Sequence, residues 1–349
     1  MLEDYKKIVE KELNLFFNDK LAKAELIDPA SKEMIELLKE YTLRGGKRLR
    51  AALVYHSYRC FSKKNLKEII KASMAMELLQ SYLLIHDDIM DNDDLRRNGP
   101  TLHISYKGIA EKDFKKTDSK HFGISMAILA GDICCSFANE IIAELDIKER
   151  YKTAALKALN HTTHKVIYGQ ALDLLSELRK VDEKDIEKIH KLKTATYTIE
   201  APLHIGALLA GAKEKHLQTL SSYAIPLGKA FQIQDDILGM FGNEEKLGKP
   251  IASDLKEGKK TLLILKAIDN ADAVQKIAII NALGSKRLTD LQIKKIRKII
   301  KDTGSLDFSK NLAKKLIQKS KQAVQNSNFK KPGKNFLLDI ANYLENREY

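Results

Sequence analysis

The chain has 349 residues, 44% of them hydrophobic, enough for one large domain or two smaller ones with a real core. Lys and Arg number 60 against 47 Asp and Glu, a formal net charge of +13 that suits anionic partners, yet the lysines are scattered and no basic run is interleaved with aromatics, which disfavours nucleic acid. The three cysteines, Cys60, Cys134 and Cys135, form no CxxC, which excludes a zinc pattern and a disulfide framework.

The sparing use of Gly and Pro, the lack of Trp and the abundance of Leu, Ile, Ala, Lys and Glu favour helices throughout. The cysteine pattern fits a reducing cytosol, and the first residues, Met1 to Lys7, are charged at once and carry no signal-like apolar region. Gly45-Gly46-Lys47-Arg48-Leu49-Arg50 joins a flexible turn to three cations. Lys47 and Arg50 stand i, i+3 and can converge on one anion, although a basic helix start would read the same way.

From Ile69 to Ile89 the chain is apolar on nearly all sides, as in a helix inside a large helical domain. It ends in Asp87-Asp88-Ile89-Met90-Asp91. Carboxylates there oppose the helix dipole and repel one another, so a cation is expected to compensate them, and Mg²⁺ prefers such oxygen donors. A solvated acidic helix end would look alike in isolation. Arg96-Arg97 follow at once, as charge balance for Asp93 and Asp94 or as anion contacts. Gly108 to His121 reads as an exposed loop, and Asp132 interrupts the apolar run Ala127–Ala138, so no membrane span is predicted. His86 reads as a hydrogen-bonded helix residue and Asp132 as a buried polar support; His161, His164 and His204 read as structural or exposed.

Tyr223, Leu227, Phe231 and Ile237 mark a second apolar helix that closes on Asp235-Asp236, just before Phe241-Gly242-Asn243. Two such acidic ends could face each other across a cavity and form a multi-metal diphosphate site. Residues 284–335 read as lysine-rich peripheral helices and turns. With no linker or repeat visible, the expectation is a single all-α domain over residues 1–349.

Six segments then carry a resemblance: GGKRLR at 45–50, DDIMD with RR at 87–97, GQALD at 169–173, KTAT at 193–196, FQIQDD at 231–236 and GKPIASDLKEGKK at 248–260. In this order they resemble the trans-isoprenyl diphosphate synthases, also called polyprenyl synthetases, over roughly residues 40–265, most of all the archaeal-type geranylgeranyl and farnesyl enzymes. The resemblance implies a bundle of mostly antiparallel helices around a central active-site cavity, a homodimer, and two or three Mg²⁺ per site. It implies condensation of isopentenyl diphosphate with allylic diphosphates to mainly a C20 product, with a C15 or bifunctional C15/C20 synthase as the alternative. Asp87, Asp88 and Asp91 resemble the first metal motif, Asp235 and Asp236 the second. Arg96, Lys193, Thr194 and Lys249 resemble residues on the allylic diphosphate, with Gln232 and Lys259 added to the substrate set. Lys47, Arg50, Gln80 and Arg97 resemble the isopentenyl diphosphate pocket, and Gln170 and Asp173 a motif near the metals. One departure is Gly239, where many members have a third aspartate.

Tyr82 lies five residues before Asp87, about 7.5 Å back along the helix. In the family, aromatics at this position and the next accompany C15 products. An aromatic at Tyr82 with aliphatic Leu83 resembles the C20 type. A class I terpene cyclase needs no second anion pocket, and a non-catalytic synthase subunit needs no intact aspartates, so both are disfavoured.

Overall fold

The computed structural model describes residues 2–114, 117–242, 251–285 and 287–346. Helices account for nearly all of it, and the described residues hold a single short hairpin, β1 (Leu95–Arg96) with β2 (Gly99–Pro100), as the all-α expectation required. The chain forms two compact units, Met1–Lys157 with Ile205–Gly211, and Ala158–His204 with Ala212–Tyr349.

The first unit holds α1 (Leu2–Glu25), α2 (Pro29–Leu43), α3 (Leu49–Arg59), α4 (Leu66–Met90), α5 (Leu102–Asp113) and α6 (Ser119–Ala143). Helix α1 buries Val9, Leu13 and Phe17 at four-residue spacing. Asp28 starts α2, its side chain accepting from Ala30 N at 2.8 Å, with Pro29 in the first turn, where its missing N–H costs nothing. Helix α4 is buried nearly all round from Ile69 to Leu79, as its uninterrupted apolar sequence implies. Glu77, on α4, explains the start of α3: it accepts from Ala51 N at 3.1 Å and pairs with buried Arg48 at 3.2 Å, while Glu10 takes Arg48 Nε at 3.0 Å. Arg48 is thereby a buried structural cation between two cations expected to bind an anion.

The loop expected from Gly108 to His121 is corrected to two helix ends. Helix α5 continues to Asp113 because Leu102, Tyr106 and Ala110 recur every four residues and are buried. Helix α6 begins at Ser119, with Asp118 accepting from His121 N at 3.1 Å. By length and composition α6 alone among the described helices meets the requirement for crossing a membrane. Its face of Ala127, Ala130, Gly131, Cys134 and Ala138 is buried, however, and it packs on α4 and α5. Asp132 is exposed, which corrects its reading as a buried support.

The second unit contains residues 158–178 of α7 (Glu149–Leu178), then α8 (Glu183–Ile189), a π-helical stretch (His190–Glu200), α10 (Glu214–Phe241), α11 (Ser253–Glu257), α12 (Leu262–Asn270), α13 (Ala273–Ala282), α14 (Asp290–Asp302), α15 (Ser305–Gln325) and α16 (Lys331–Glu345); a further helix, α9, spans Ala201–Leu209. The lysine-rich C-terminal helices are less peripheral than their composition suggests. Helix α15 buries Ala313, Ile317 and Val324 and packs along α10, while Tyr223 and Gln234 of α10 donate to the carbonyls of Leu337 and Leu344 on α16. Their lysines occupy the opposite, solvated faces, so composition alone hides the buried stripe. The three cysteines are free thiols, and burial pushes Cys60 up to about 12.

Candidate active site

In the first unit, Asp87 and Asp88 occupy the last turn of α4 and Asp91 caps it. Asp87 and Asp91 are half-buried, whereas Asp88 is fully buried. The structure gives Asp88 two strong donors: Arg96 Nε reaches Oδ1 at 2.6 Å and Tyr41 Oη reaches Oδ2 at 2.6 Å. Burial still pushes its carboxyl above the ordinary range, opposed by Arg96 and Tyr41. Arg96 also donates to Asp93 at 2.8 Å. Asp88, expected as a metal ligand, and Arg96, expected on a diphosphate, are thus each other's partner here, and Tyr41 is a participant that sequence reasoning missed.

The hairpin aims Arg96 and Arg97 differently. Arg97 and Asn98 both adopt left-handed backbone (φ 52° and 61°), as a tight two-residue hairpin turn requires. Arg97 then reaches back to the turn before α3, donating to Arg44 O at 2.9 Å and lying against Gly46. Burial, then the charges of Arg48 and later Arg50, lower its pKa. Lys47 is exposed and Arg50 half-buried beside this turn. Cations from two distant segments therefore meet at Gly45–Arg50, in a place suited to a polyanion. Gln80 is half-buried on α4.

Farther back on α4, Tyr82 stacks edge-on against His86, with ring centroids 4.8 Å apart. His86 Nε2 lies 3.3 Å from Ile128 O, the hydrogen bond expected of it. Burial, with Cys135 and Asp132 nearby, raises the Tyr82 hydroxyl pKa. Tyr82 thus faces α6, and Leu83 is half-buried.

In the second unit, Lys193 and Thr194 sit on the π-helical stretch, whose wider backbone is held by two close approaches. A Cβ at Gly169 would lie 2.6 Å from Lys193 N, and one at Gly228 would lie 2.4 Å from Ala195 Cα. Only glycine allows α7 and α10 so near, and the π-helical stretch is thereby fixed between them. Lys193 Nζ pairs with Asp173 at 2.7 Å. Thr194 Oγ1 donates to Gln232 Oε1 at 2.7 Å, and Gln232 Nε2 donates to Asp236 Oδ1 at 2.7 Å. This relay fixes the Gln232 amide and joins the KTAT and FQIQDD segments, a link invisible in the sequence because 38 residues separate Thr194 from Gln232.

Among the described residues no Lys or Arg pairs with Asp236. It is 7% exposed, and its Oδ2 has no hydrogen-bond partner. Oδ2 lies 3.5 Å from Nε2 of His190, whose pKa burial lowers to about 4, so that imidazole is neutral near pH 7. Burial, and after it the charge of Asp254, raise the Asp236 carboxyl well above its ordinary value. Asp235 is half-buried one residue earlier, and Gln170 is half-buried on α7. Lys259 pairs with Glu257 at 2.6 Å. Lys260, not singled out from the sequence, donates to Ser176 O and Arg179 O at 2.9 Å and closes the C-terminal end of α7. Lys249, expected on the allylic diphosphate, lies outside the described residues.

Among the described residues no three His, Cys, Asp or Glu groups converge closely enough to hold a metal ion unaided. The aspartates of the two acidic ends offer oxygen donors, and among the described residues the buried Oδ2 of Asp236 has no hydrogen-bond partner. That set fits Mg²⁺, which keeps water and substrate phosphate oxygens in its shell and is seldom caged by protein alone.

The comparisons agree with these motifs. A short chain isoprenyl diphosphate synthase of Methanocaldococcus jannaschii is 37% identical over 274 residues, 78% of this chain and 77% of the relative. A geranylgeranyl diphosphate synthase of Methanosarcina mazei is 34% identical over 307 residues, 87% of each. The crystal structure of geranylgeranyl pyrophosphate synthase from Corynebacterium glutamicum, complexed with isoprenyl diphosphate and magnesium, aligns over 100% of both chains with a TM-score of 0.94 at 28% identity. Residues 31–300 match the polyprenyl synthetase family model, and the chain belongs to that family.

Proposed function

We propose that the chain is a short-chain trans-prenyltransferase that joins isopentenyl diphosphate to allylic diphosphates and yields mainly geranylgeranyl diphosphate, with farnesyl diphosphate as intermediate or co-product. The observation that carries this reading is the cation cluster at Gly45–Arg50 with Arg97, built apart from the carboxylates of α4. An enzyme that ionises one diphosphate needs the acidic ends alone; a condensing enzyme needs a second anion site. The names of the M. mazei and C. glutamicum relatives support the C20 product.

Asp87, Asp91, Asp235 and Asp236 would hold two or three Mg²⁺, with Asp88 reaching a metal only by exchanging Arg96 or Tyr41. Bound Mg²⁺ would draw charge from the departing diphosphate. Arg96, Lys193 and Lys249 stabilise the same developing charge, and Thr194 and Gln232 orient Asp236 beside it. Lys47, Arg50, Gln80 and Arg97 hold isopentenyl diphosphate with its double bond toward the allylic carbon. The C–O bond breaks, the double bond attacks the allylic cation, and the departing diphosphate takes the lost proton. Tyr82 then meets the growing tail. The whole chain acts as one catalytic domain, in a homodimer, in the cytosol; the free thiols suit that compartment.

Radiolabelled isopentenyl diphosphate, supplied with each allylic starter and Mg²⁺, tests the reading after chromatography of the dephosphorylated products. Labelled C20 alcohol is expected. Consumption of an allylic diphosphate to a cyclic hydrocarbon, with no label incorporated, would overturn it.

A further inference from the structure

Gly239 stands one turn beyond Asp235 on α10 and three residues beyond Asp236, where a side chain would share their helical face. The place over it is already taken. A Cβ built at Gly239 would lie 3.2 Å from Oδ2 of Asp254, the one such neighbour among the described residues. That distance is tighter than ordinary van der Waals contact, and the neighbour is a carboxylate.

The backbone holds Asp254 there. Helix α10 ends at Phe241, and Ala252 N donates to Gly239 O at 2.9 Å, taking up a carbonyl of its last turn. Asp254 follows in the first turn of α11, where Lys259 N donates to its carbonyl at 2.8 Å. Its charge reaches Asp236, whose Oδ2 is buried and without a hydrogen-bond donor.

We propose that Asp254, presented from α11, supplies the third carboxylate of the second acidic cluster, and that position 239 is glycine because that carboxylate lies over it. This rests on the reading that the cluster holds Mg²⁺ with a diphosphate. It reverses what the sequence comparison suggests for Gly239→Asp. An aspartate at 239 looks like the restoration of a common residue, but its side chain would be driven against Asp254, adding a like charge beside Asp254 and Asp236.

The test is a double-mutant cycle on the full chain, read by calorimetric titration of Mg²⁺ in saturating inorganic diphosphate, with turnover measured alongside. Asp254→Ala is expected to weaken Mg²⁺ binding on the order of 10-fold or more, the usual cost of losing a group that supports a metal site. Gly239→Asp alone should weaken it as well, while Gly239→Asp with Asp254→Ala recovers most of the affinity. Asp254→Asn keeps the shape without the charge and guards against misfolding: its melting temperature without metal should match or exceed wild type while Mg²⁺ binding falls. The proposal is overturned if Asp254→Ala and Asp254→Asn bind Mg²⁺ as wild type does while Asp235→Ala does not, or if the double variant is no better than either single. If wild type itself binds no Mg²⁺ with diphosphate, the parent reading fails and takes this one with it.

Discussion

The two acidic helix ends solve the same electrostatic problem in opposite ways. At the end of α4, the buried carboxylate of Asp88 is neutralised from within by Arg96, with Tyr41 on its other oxygen. At the end of α10, the buried carboxylate of Asp236 faces a neutral amide, a neutral imidazole and the like charge of Asp254. Among the described residues Asp88 has its counter-cation, whereas Oδ2 of Asp236 has no hydrogen-bond partner, a place that a cation from outside would relieve. A buried ion pair and a buried bare carboxylate differ by several kcal/mol in what they cost the fold, so the second arrangement points to function.

The largest effect expected is on turnover. Asp87→Ala or Asp235→Ala should lower kcat on the order of 10³-fold or more, as removal of a charge-stabilising element does. Near-normal turnover of either variant in Mg²⁺ would show that its helix end is an ordinary solvated terminus. Next comes the division between substrates. Lys47→Ala should raise KM for isopentenyl diphosphate on the order of 10-fold, the scale of one lost charged contact, and leave the allylic KM nearly unchanged. A selective rise for the allylic substrate would mean that the two anion sites are exchanged.

The outline of this contrast was legible in the sequence, and its sign was not. The apolar runs before Asp87 and Asp235 located both helices, because periodicity and apolar length are local properties. The pairing of Asp88 with Tyr41, 47 residues away, is set by packing of α2 on α4 and leaves no local trace. The same holds for Thr194, Gln232 and Asp236. The loop expected at 108–121 failed for another reason: Gly108 and a charged run masked the four-residue spacing of Leu102, Tyr106 and Ala110. Asp254 stood inside a quoted motif, but nothing in its spacing from Gly239 predicts contact across the intervening residues.

A third prediction concerns product length and leaves the metal sites intact. Tyr82→Ala should lengthen products beyond C20, and Leu83→Phe should shorten them toward C15, read by chromatography of the dephosphorylated alcohols. An unchanged spectrum from both would place the length-setting wall elsewhere than along α4. The smallest effect is on stability against acid. His190 is held near 4 by burial, below its unfolded value of about 6.5, so the unfolded chain binds the extra proton first. Its contribution is full above pH 6.5 and is lost as pH falls toward 4, with Asp236 against the ring and Asp173 and Lys229 as the other charges acting on it. His190→Gln should flatten the melting temperature across that window; an unaltered profile would show that other groups carry it.

The most direct test of the contrast is Asp236→Asn, followed by thermal unfolding without metal and turnover with Mg²⁺. The folded pKa of Asp236 is raised, so folding favours its neutral form and the protein is less stable once that carboxyl must ionise. An uncharged amide should therefore raise the metal-free melting temperature at neutral pH while turnover collapses. Asp88→Asn should do the reverse to stability, lowering it by removing the carboxylate between Arg96 and Tyr41 and leaving Arg96 with Asp93 alone. A variant Asp236→Asn that melts lower than wild type and keeps its turnover would contradict the account.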